Sequence, residues 1–144
     1  MQRSFSRVKN TRGFTLVELA VVIVIIGVLA AFGVPRFLKS VEKSKGAEAF
    51  AYLAAVRSAQ ERFQSQQGTY ASSVSDLDTQ SAPPKYFSVG AIGAGTTSSL
   101  ENSWKLTLTR IGASAGYSSY TVVFTDQGFD STSTIDSSIS PITQ

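Results

Sequence analysis

An apolar run of 21 residues near the N-terminus constrains this chain more than any other feature. It covers residues 14–34, and its only polar side chains are Thr15 and Glu18. As an α-helix the run is about 31 Å long, and the hydrocarbon core of a bilayer is about 30 Å thick. The run therefore predicts a membrane-spanning helix.

A secretory signal peptide is the alternative, since a basic segment precedes the run and Val28-Leu29-Ala30 could serve as a small-residue cleavage site. Three features oppose it. The run contains a carboxylate, it exceeds the usual signal-peptide length of about 7 to 15 apolar residues, and the helical pattern continues past the supposed cut.

Glu18 requires a physical reason, because an acidic side chain is costly near a bilayer core. The positive end of the helix dipole lowers that cost at a position four residues into the run. A buried cation would be the stronger partner, but no Lys or Arg lies between Arg12 and Arg36. A new amine made by cutting the chain would supply one.

The sequence Arg12-Gly13-Phe14-Thr15-Leu16-Val17-Glu18-Leu19, with the run that ends at Val34-Pro35, resembles the prepilin motif of type IV pilins and type II secretion pseudopilins. The resemblance implies that a prepilin peptidase cuts between Gly13 and Phe14 and methylates the new amine of Phe14. It also implies that Glu18 neutralises this amine on a neighbouring subunit. Residues 1–13 would then be a leader peptide that is removed.

Membrane orientation does not follow from charge alone, because four Lys or Arg residues flank each end of the run. These are Arg3, Arg7, Lys9 and Arg12 before it, and Arg36, Lys39, Lys43 and Lys45 after it. The resemblance implies that the leader is cytoplasmic in the bacterial inner membrane and that the C-terminal part is periplasmic. The mature subunit would then enter an extracellular filament.

Gly27, Gly33 and Pro35 weaken the same helix. Proline removes a backbone donor, and glycine lowers helix propensity. Membrane helices tolerate both residues, and glycine permits close helix packing. The resemblance implies a second interpretation, in which residues 27–35 unwind when subunits pack into a filament.

The helix continues into the rest of the chain. Residues 49, 52, 56, 59 and 63 are apolar at intervals of three and four, which predicts one buried stripe on a helix that ends before Gly68. Residues 14–35 then form the apolar segment, residues 36–68 an amphipathic continuation, and residues 69–144 a connecting loop and a sheet.

The sheet is predicted from two alternating segments. In residues 104–109, apolar side chains alternate with polar ones, and in residues 120–125, Tyr120, Val122 and Phe124 alternate with Thr121, Val123 and Thr125. The glycines at 112 and 116 lie between the two segments, as in an antiparallel hairpin. One further strand is predicted near residues 86–89. The fold class is α+β, and the resemblance implies a type IV pilin-like long helix packed on a small antiparallel sheet.

The absence of cysteine and histidine excludes Ser-His-Asp and Cys-His triads, His or Cys zinc sites and disulfides. Asp126, Asp130 and Asp136 are chemically suited to calcium, but their spacing matches no EF-hand loop. We therefore expect no enzyme, no cofactor and no metal site.

The net charge of +3 depends on the leader, which carries four cations and no acid. Without it the side chains sum to −1, so the isolated subunit is not predicted to bind nucleic acid.

The resemblance implies a pilin that polymerises with other subunits for adhesion, motility or DNA uptake, with prepilin peptidase, inner-membrane assembly machinery and the membrane as partners. A type II secretion pseudopilin and a non-polymerising binding module are the alternatives. The pseudopilin is less favoured because Ala71-Ser72-Ser73 follows Tyr70, where major pseudopilins often have proline.

Overall fold

The structure is a computed structural model that describes residues 13–112 and 116–142. One long helix is followed by a short 3-10 helix and five strands: α1 (Leu16–Gln67), the 3-10 helix (Val74–Asp76), β1 (Phe87–Val89), β2 (Gly93–Ala94), β3 (Trp104–Arg110), β4 (Thr121–Thr125) and β5 (Gly128–Phe129). The four leader cations, Arg3, Arg7, Lys9 and Arg12, lie outside the described residues.

The chain divides into two compact units, residues 1–36 and residues 37–144. In the first unit, every described residue is solvent-exposed, including the large apolar side chains. In the second unit, the rest of α1 and the five strands enclose a hydrophobic core, and we call this unit the head.

The predicted stripe on the second half of α1 is confirmed. Ala49 and Val56 are completely buried, Tyr52 and Ala59 are buried, and Phe63 is partly buried against the same core. The helix ends at Gln67 because Gly68 adopts a left-handed conformation with a φ of 76°, and its N–H donates to the carbonyl of Gln64 at 2.8 Å.

The predicted hairpin is confirmed as β3 and β4, which pair antiparallel from Lys105 opposite Thr125 to Thr109 opposite Thr121. On the other edge of β3, β1 and β2 pair antiparallel in succession. β5 pairs with the free edge of β4. The predicted strand near residues 86–89 is β1, whereas β2 and β5 were not predicted because each has two residues.

The burial of β4 differs from the predicted alternation. β3 alternates between buried and half-buried residues as expected, but Val122 through Thr125 are all buried in β4. The C-terminal segment explains the difference, since Asp130 and Thr134 donate backbone hydrogen bonds to the carbonyls of Val123 and Thr121 at 2.9 and 3.0 Å. This segment covers a strand that the sequence pattern alone leaves half exposed.

Together these elements confirm the α+β prediction of a long N-terminal helix and a small antiparallel sheet. The core that joins them contains aromatic contacts, such as Phe50 edge-on to Phe124 with ring centroids 5.7 Å apart.

Candidate assembly segment and buried ion cluster

The start of α1 is fixed by a reciprocal capping box between Thr15 and Glu18. The Thr15 hydroxyl accepts the Glu18 backbone N–H at 3.2 Å, and one Glu18 carboxylate oxygen accepts both the backbone N–H and the hydroxyl of Thr15 at 2.8 Å. These bonds satisfy donors that a helix N-terminus otherwise leaves free. The helix therefore begins at Leu16, two residues later than predicted.

Gly13 and Phe14 lie before this cap, in exposed and non-helical chain. The ring of Phe14 is 82% exposed. The bond that joins these two residues, where the prepilin motif places the cut, is therefore outside the helix.

The Glu18 carboxylate accepts two hydrogen bonds from Thr15 of its own chain. The Thr-x-x-Glu spacing of residues 15–18 is the ordinary sequence signature of a capping box, and it would have identified this contact. Its proposed role in pairing with Phe14 stays a prediction.

The three helix-weakening residues all lie inside α1, which continues through Pro35. A Cβ atom added at Gly27 or Gly33 would meet nothing within 4 Å. Both glycines therefore leave a helix face open to close approach by another helix. The unwinding interpretation stays a prediction.

The N-terminal part of α1 is long and apolar enough to cross a membrane, with a mean hydropathy of 2.8 over an 18-residue window. None of that window is buried inside the protein. An exposed apolar surface of this extent indicates a site that contacts a membrane or another protein.

A buried ion cluster lies in the head, where α1 meets the sheet. Glu42 is the first buried residue of α1, and Arg110 at the end of β3 donates to both of its oxygens, Nε to Oε1 at 2.6 Å and Nη2 to Oε2 at 3.2 Å. The Tyr120 hydroxyl donates to Oε1 at 3.0 Å, and Lys45 Nζ to Oε2 at 3.3 Å. We call Glu42, Arg110 and Tyr120 the ion cluster.

The ionisation of the cluster follows from these contacts. Burial by itself raises the pKa of Glu42, but the hydrogen bonds from Arg110 and Tyr120 outweigh it and leave that pKa lowered. The hydrogen bond to Glu42 raises the pKa of Arg110. Burial, followed by the bond to Glu42, strongly raises the pKa of Tyr120. The cluster therefore holds a carboxylate, a guanidinium and a neutral phenol at neutral pH.

The sequence prediction missed Glu42 and Arg110, although both positions fit its own patterns. On β3, the buried positions 104, 106 and 108 continue at the same spacing to Arg110. On α1, the buried positions run back from residue 49 through residue 46 to Glu42, at intervals of three and four. An acid at an inward position of one element and a base at an inward position of another predict a buried ion pair, since a buried charge is stable only with a partner.

The described residues give no support to a calcium site at the three aspartates. Asp130 and Asp136 each accept a backbone N–H two residues on, from Thr132 and Ser138, at 2.7 Å. Across residues 13–112 and 116–142, no three acidic, His or Cys side chains are grouped so that they could hold a metal ion.

Comparison with known proteins places this architecture in a family. The family model described as "Prokaryotic N-terminal methylation motif" matches residues 8–34. The model described as "Type IV minor pilin ComP, DNA uptake sequence receptor" matches residues 35–133, which is more than half of the chain.

Curated relatives agree with these family models. The major pilin protein PilA of Myxococcus xanthus is 42% identical over 68 residues, which are 47% of this chain and 31% of the relative. Two pilus components of Thermus thermophilus also match: PilA5 of the narrow pilus is 54% identical over 50 residues (35% of this chain, 43% of the relative), and PilA4 of the wide pilus is 36% identical over 69 residues (48% and 53%).

The aligned part of this chain therefore spans between about a third and about a half of the length of these relatives. No solved structure matches the chain significantly. Because these relatives are pilins, the comparisons favour the pilin over the pseudopilin. On the strength of the family model that covers residues 35–133, this chain belongs to the type IV pilin family.

Proposed function

We propose that this chain is stored in the bacterial inner membrane as a precursor and becomes a structural subunit of a type IV pilus. The observation that carries the proposal is the exposed apolar N-terminal part of α1, joined in sequence to a head that buries its own core. A helix of this kind is stable in lipid before assembly. Packing against the same helix of other subunits would bury it again in a filament.

The processing steps belong to the same proposal. Prepilin peptidase cuts the Gly13–Phe14 bond and methylates Phe14, and the exposed, non-helical chain at this bond suits cleavage. The leader is cytoplasmic and the head periplasmic. Inner-membrane assembly machinery then adds the subunit to an extracellular filament that serves adhesion, motility or DNA uptake. The subunit itself carries out no catalysis.

Glu18 links processing to assembly in this proposal. Its contacts with Thr15 satisfy the carboxylate while the chain is uncleaved. After cleavage, the free amine of Phe14 on a neighbouring subunit becomes a stronger, charged partner within an apolar helix bundle. An incoming subunit would thus be drawn into register by this charge pair.

DNA binding, which the description of the second family model names, is not part of the proposal. The head, residues 37–144, holds eight Lys or Arg against nine Asp or Glu. One of those eight cations, Arg110, is buried in the ion cluster, and Lys45 is paired with Glu42. A phosphate backbone is bound through clusters of accessible cations, and this distribution does not favour it.

N-terminal sequencing and mass spectrometry of sheared filaments test the proposal. We expect chains that begin with N-methylated Phe14. An intact Met1, or a cut near Ala30, would contradict the prepilin processing. Methylated Phe14 that is found in the inner membrane and never in surface filaments would favour the pseudopilin.

A variant separates processing from assembly. Glu18→Ala should be cleaved and methylated at close to the normal rate, and it should form far fewer filaments because the amine of Phe14 loses its partner. Glu101→Ala removes one exposed carboxylate from the head and serves as the matched control, with normal filaments expected. Normal filament yield from Glu18→Ala would count against the pairing.

A further inference from the structure

The cations that follow the apolar run have no role in the proposed processing or assembly. Arg36, Lys39, Lys43 and Lys45 equal the four cations of the leader in number, although the translocated side of a membrane protein is normally poor in such residues. Lys45 is paired with Glu42 at 3.3 Å. The remaining cations require an explanation.

Lys39 and Lys43 lie four residues apart on α1, and both are exposed. Side chains at this spacing are neighbours on one helix face, and like charges there repel each other. Within residues 13–112 and 116–142, the side chain of neither lysine forms a salt bridge or a hydrogen bond. Glu42 is three residues from Lys39, but its carboxylate already accepts hydrogen bonds from Arg110, Tyr120 and Lys45.

A nearby acid of the head offsets part of this repulsion. Asp136 interacts electrostatically with Lys39, and its carboxylate also accepts the backbone N–H of Ser138. Arg36, three residues before Lys39 in the sequence, adds a further positive charge. An external anion would relieve the repulsion among these cations.

The position of the two lysines in the sequence identifies the anion. They follow Val34, the last residue of the apolar run, by five and nine residues, which is about 7 and 14 Å at helical rise. The polar headgroup layer adds about 5 to 8 Å to each side of the hydrocarbon core, and lysine side chains can reach back toward it. Both ammonium groups can therefore meet lipid phosphates.

We propose that Lys39 and Lys43 bind the phosphate groups of anionic phospholipids. This inference rests on the membrane-stored precursor of the proposed function. It adds a lipid preference that neither cleavage nor filament formation requires. Basic segments next to membrane spans attract anionic lipids through the same electrostatics.

Energy transfer from a single labelled site tests the proposal. The chain contains no cysteine, so Ser40→Cys, at an exposed position between the two lysines, takes one donor dye. The full precursor is reconstituted in phosphatidylcholine vesicles that contain a small fraction of acceptor-labelled phosphatidylglycerol. In parallel vesicles, phosphatidylcholine carries the same acyl-chain label.

We expect at least about twofold more transfer to phosphatidylglycerol at 50 mM NaCl, with the ratio approaching one at 500 mM because salt screens exposed charges. Lys39→Gln with Lys43→Gln should bring the ratio close to one. Lys85→Gln with Lys105→Gln removes the same charge from the part of the head that follows α1 and should leave the ratio unchanged.

Three results would overturn the lipid assignment. They are a ratio near one in the unaltered precursor, an equal loss in both double variants, and self-association in phosphatidylcholine that depends on Lys39 and Lys43. The third would mean that the cations meet the acidic surface of a second copy. Flotation of the precursor with the vesicles is measured separately. A precursor that fails to float contradicts membrane storage itself. A precursor that floats but shows no preference for phosphatidylglycerol in the energy transfer contradicts this inference alone.

Discussion

Glu42 places a carboxylate in the interior of the head, where it is 2% exposed. Moving such a charge out of water is costly, and the cost is offset only when every oxygen is well paired. Two bonds from Arg110 and one each from Tyr120 and Lys45 meet that condition. The cluster therefore specifies which turn of α1 docks on the ends of β3 and β4.

Removal of one member of the ion cluster should cost more than removal of two. Arg110→Leu leaves Glu42 buried without its main partner and should lower the free energy of unfolding by about 3 to 5 kcal/mol. Glu42→Leu combined with Arg110→Leu removes both charges and should recover a large part of that loss. Urea unfolding of the full chain in detergent measures both values.

The control for this comparison is Arg62→Leu, which removes an exposed guanidinium that donates to the Asp78 carbonyl and should cost less than about 1 kcal/mol. A double variant that is less stable than Arg110→Leu would show that the cluster is not a compensated buried pair.

The lowered pKa of Glu42 makes the stability of the head dependent on pH. Because the folded-state pKa lies below the unfolded value, this contribution is complete above the ordinary glutamate value of 4.5 and is lost as the pH falls below it. We expect the melting temperature to fall from pH 5 to pH 3, and to fall less steeply in Glu42→Gln. Parallel melting profiles for the two proteins would assign the acid sensitivity to other groups, such as Asp130, whose pKa its hydrogen bonds with Thr132 also lower.

Among the elements, β3 is the strand on which the sheet is built, since β4 pairs with one edge and β1 and β2 with the other. β1 and β2 run in the same direction along that edge, and between them three residues, 90–92, lie opposite two residues of β3, 106–107. Gly90 makes this possible, because its N–H donates to the Thr107 carbonyl at 3.0 Å and its backbone passes very close to that oxygen.

Gly90→Ala should destabilise the head by about 1 to 3 kcal/mol. The added Cβ would lie 2.8 Å from the backbone oxygen of Thr107, so that the β1–β3 pairing must shift. Gly93→Ala is the matched control, because a Cβ there meets nothing within 4 Å. Thermal unfolding of the two variants compares them directly, and equal melting temperatures would contradict the close approach at Gly90.

At the scale of the whole molecule, residues 27–35 are the part of α1 that should unwind first when a filament is stretched. Pro35 in a helix interior costs about 3 kcal/mol, and each glycine costs about 1 kcal/mol relative to alanine. Filaments with Gly33→Ala and Pro35→Ala should therefore extend less at a given force than unaltered filaments. Force-extension measurements on single filaments test this.

Gly93→Ala, in the head and free of Cβ contacts, is the control for filament stretching and should leave the extension unchanged. Identical force-extension curves for the unaltered and Gly33→Ala/Pro35→Ala filaments would favour the packing interpretation of these residues over unwinding.

Much of this molecule follows from local patterns in its sequence. The apolar run, the prepilin motif and the alternation at residues 104–108 each depend on neighbouring residues, so that periodicity and spacing are sufficient to predict the helix, the family and the β3–β4 hairpin. The predicted end of α1 before Gly68 is of the same kind. Residues 15–18 carry a local capping signal as well, and the cap begins the helix at Leu16, two residues after the apolar run starts.

Other features were decided by the tertiary structure. Arg110 and Tyr120 are 68 and 78 residues from Glu42 in the sequence, and no local pattern states which of several charges will be brought together. The same holds for β4, where burial of Val123 depends on a C-terminal segment that returns to cover it. The sequence by itself determined which segments are helix, strand and apolar run, because those depend on local periodicity. Only the packing of distant segments decided which charges are buried and paired, because desolvation depends on everything that surrounds a group.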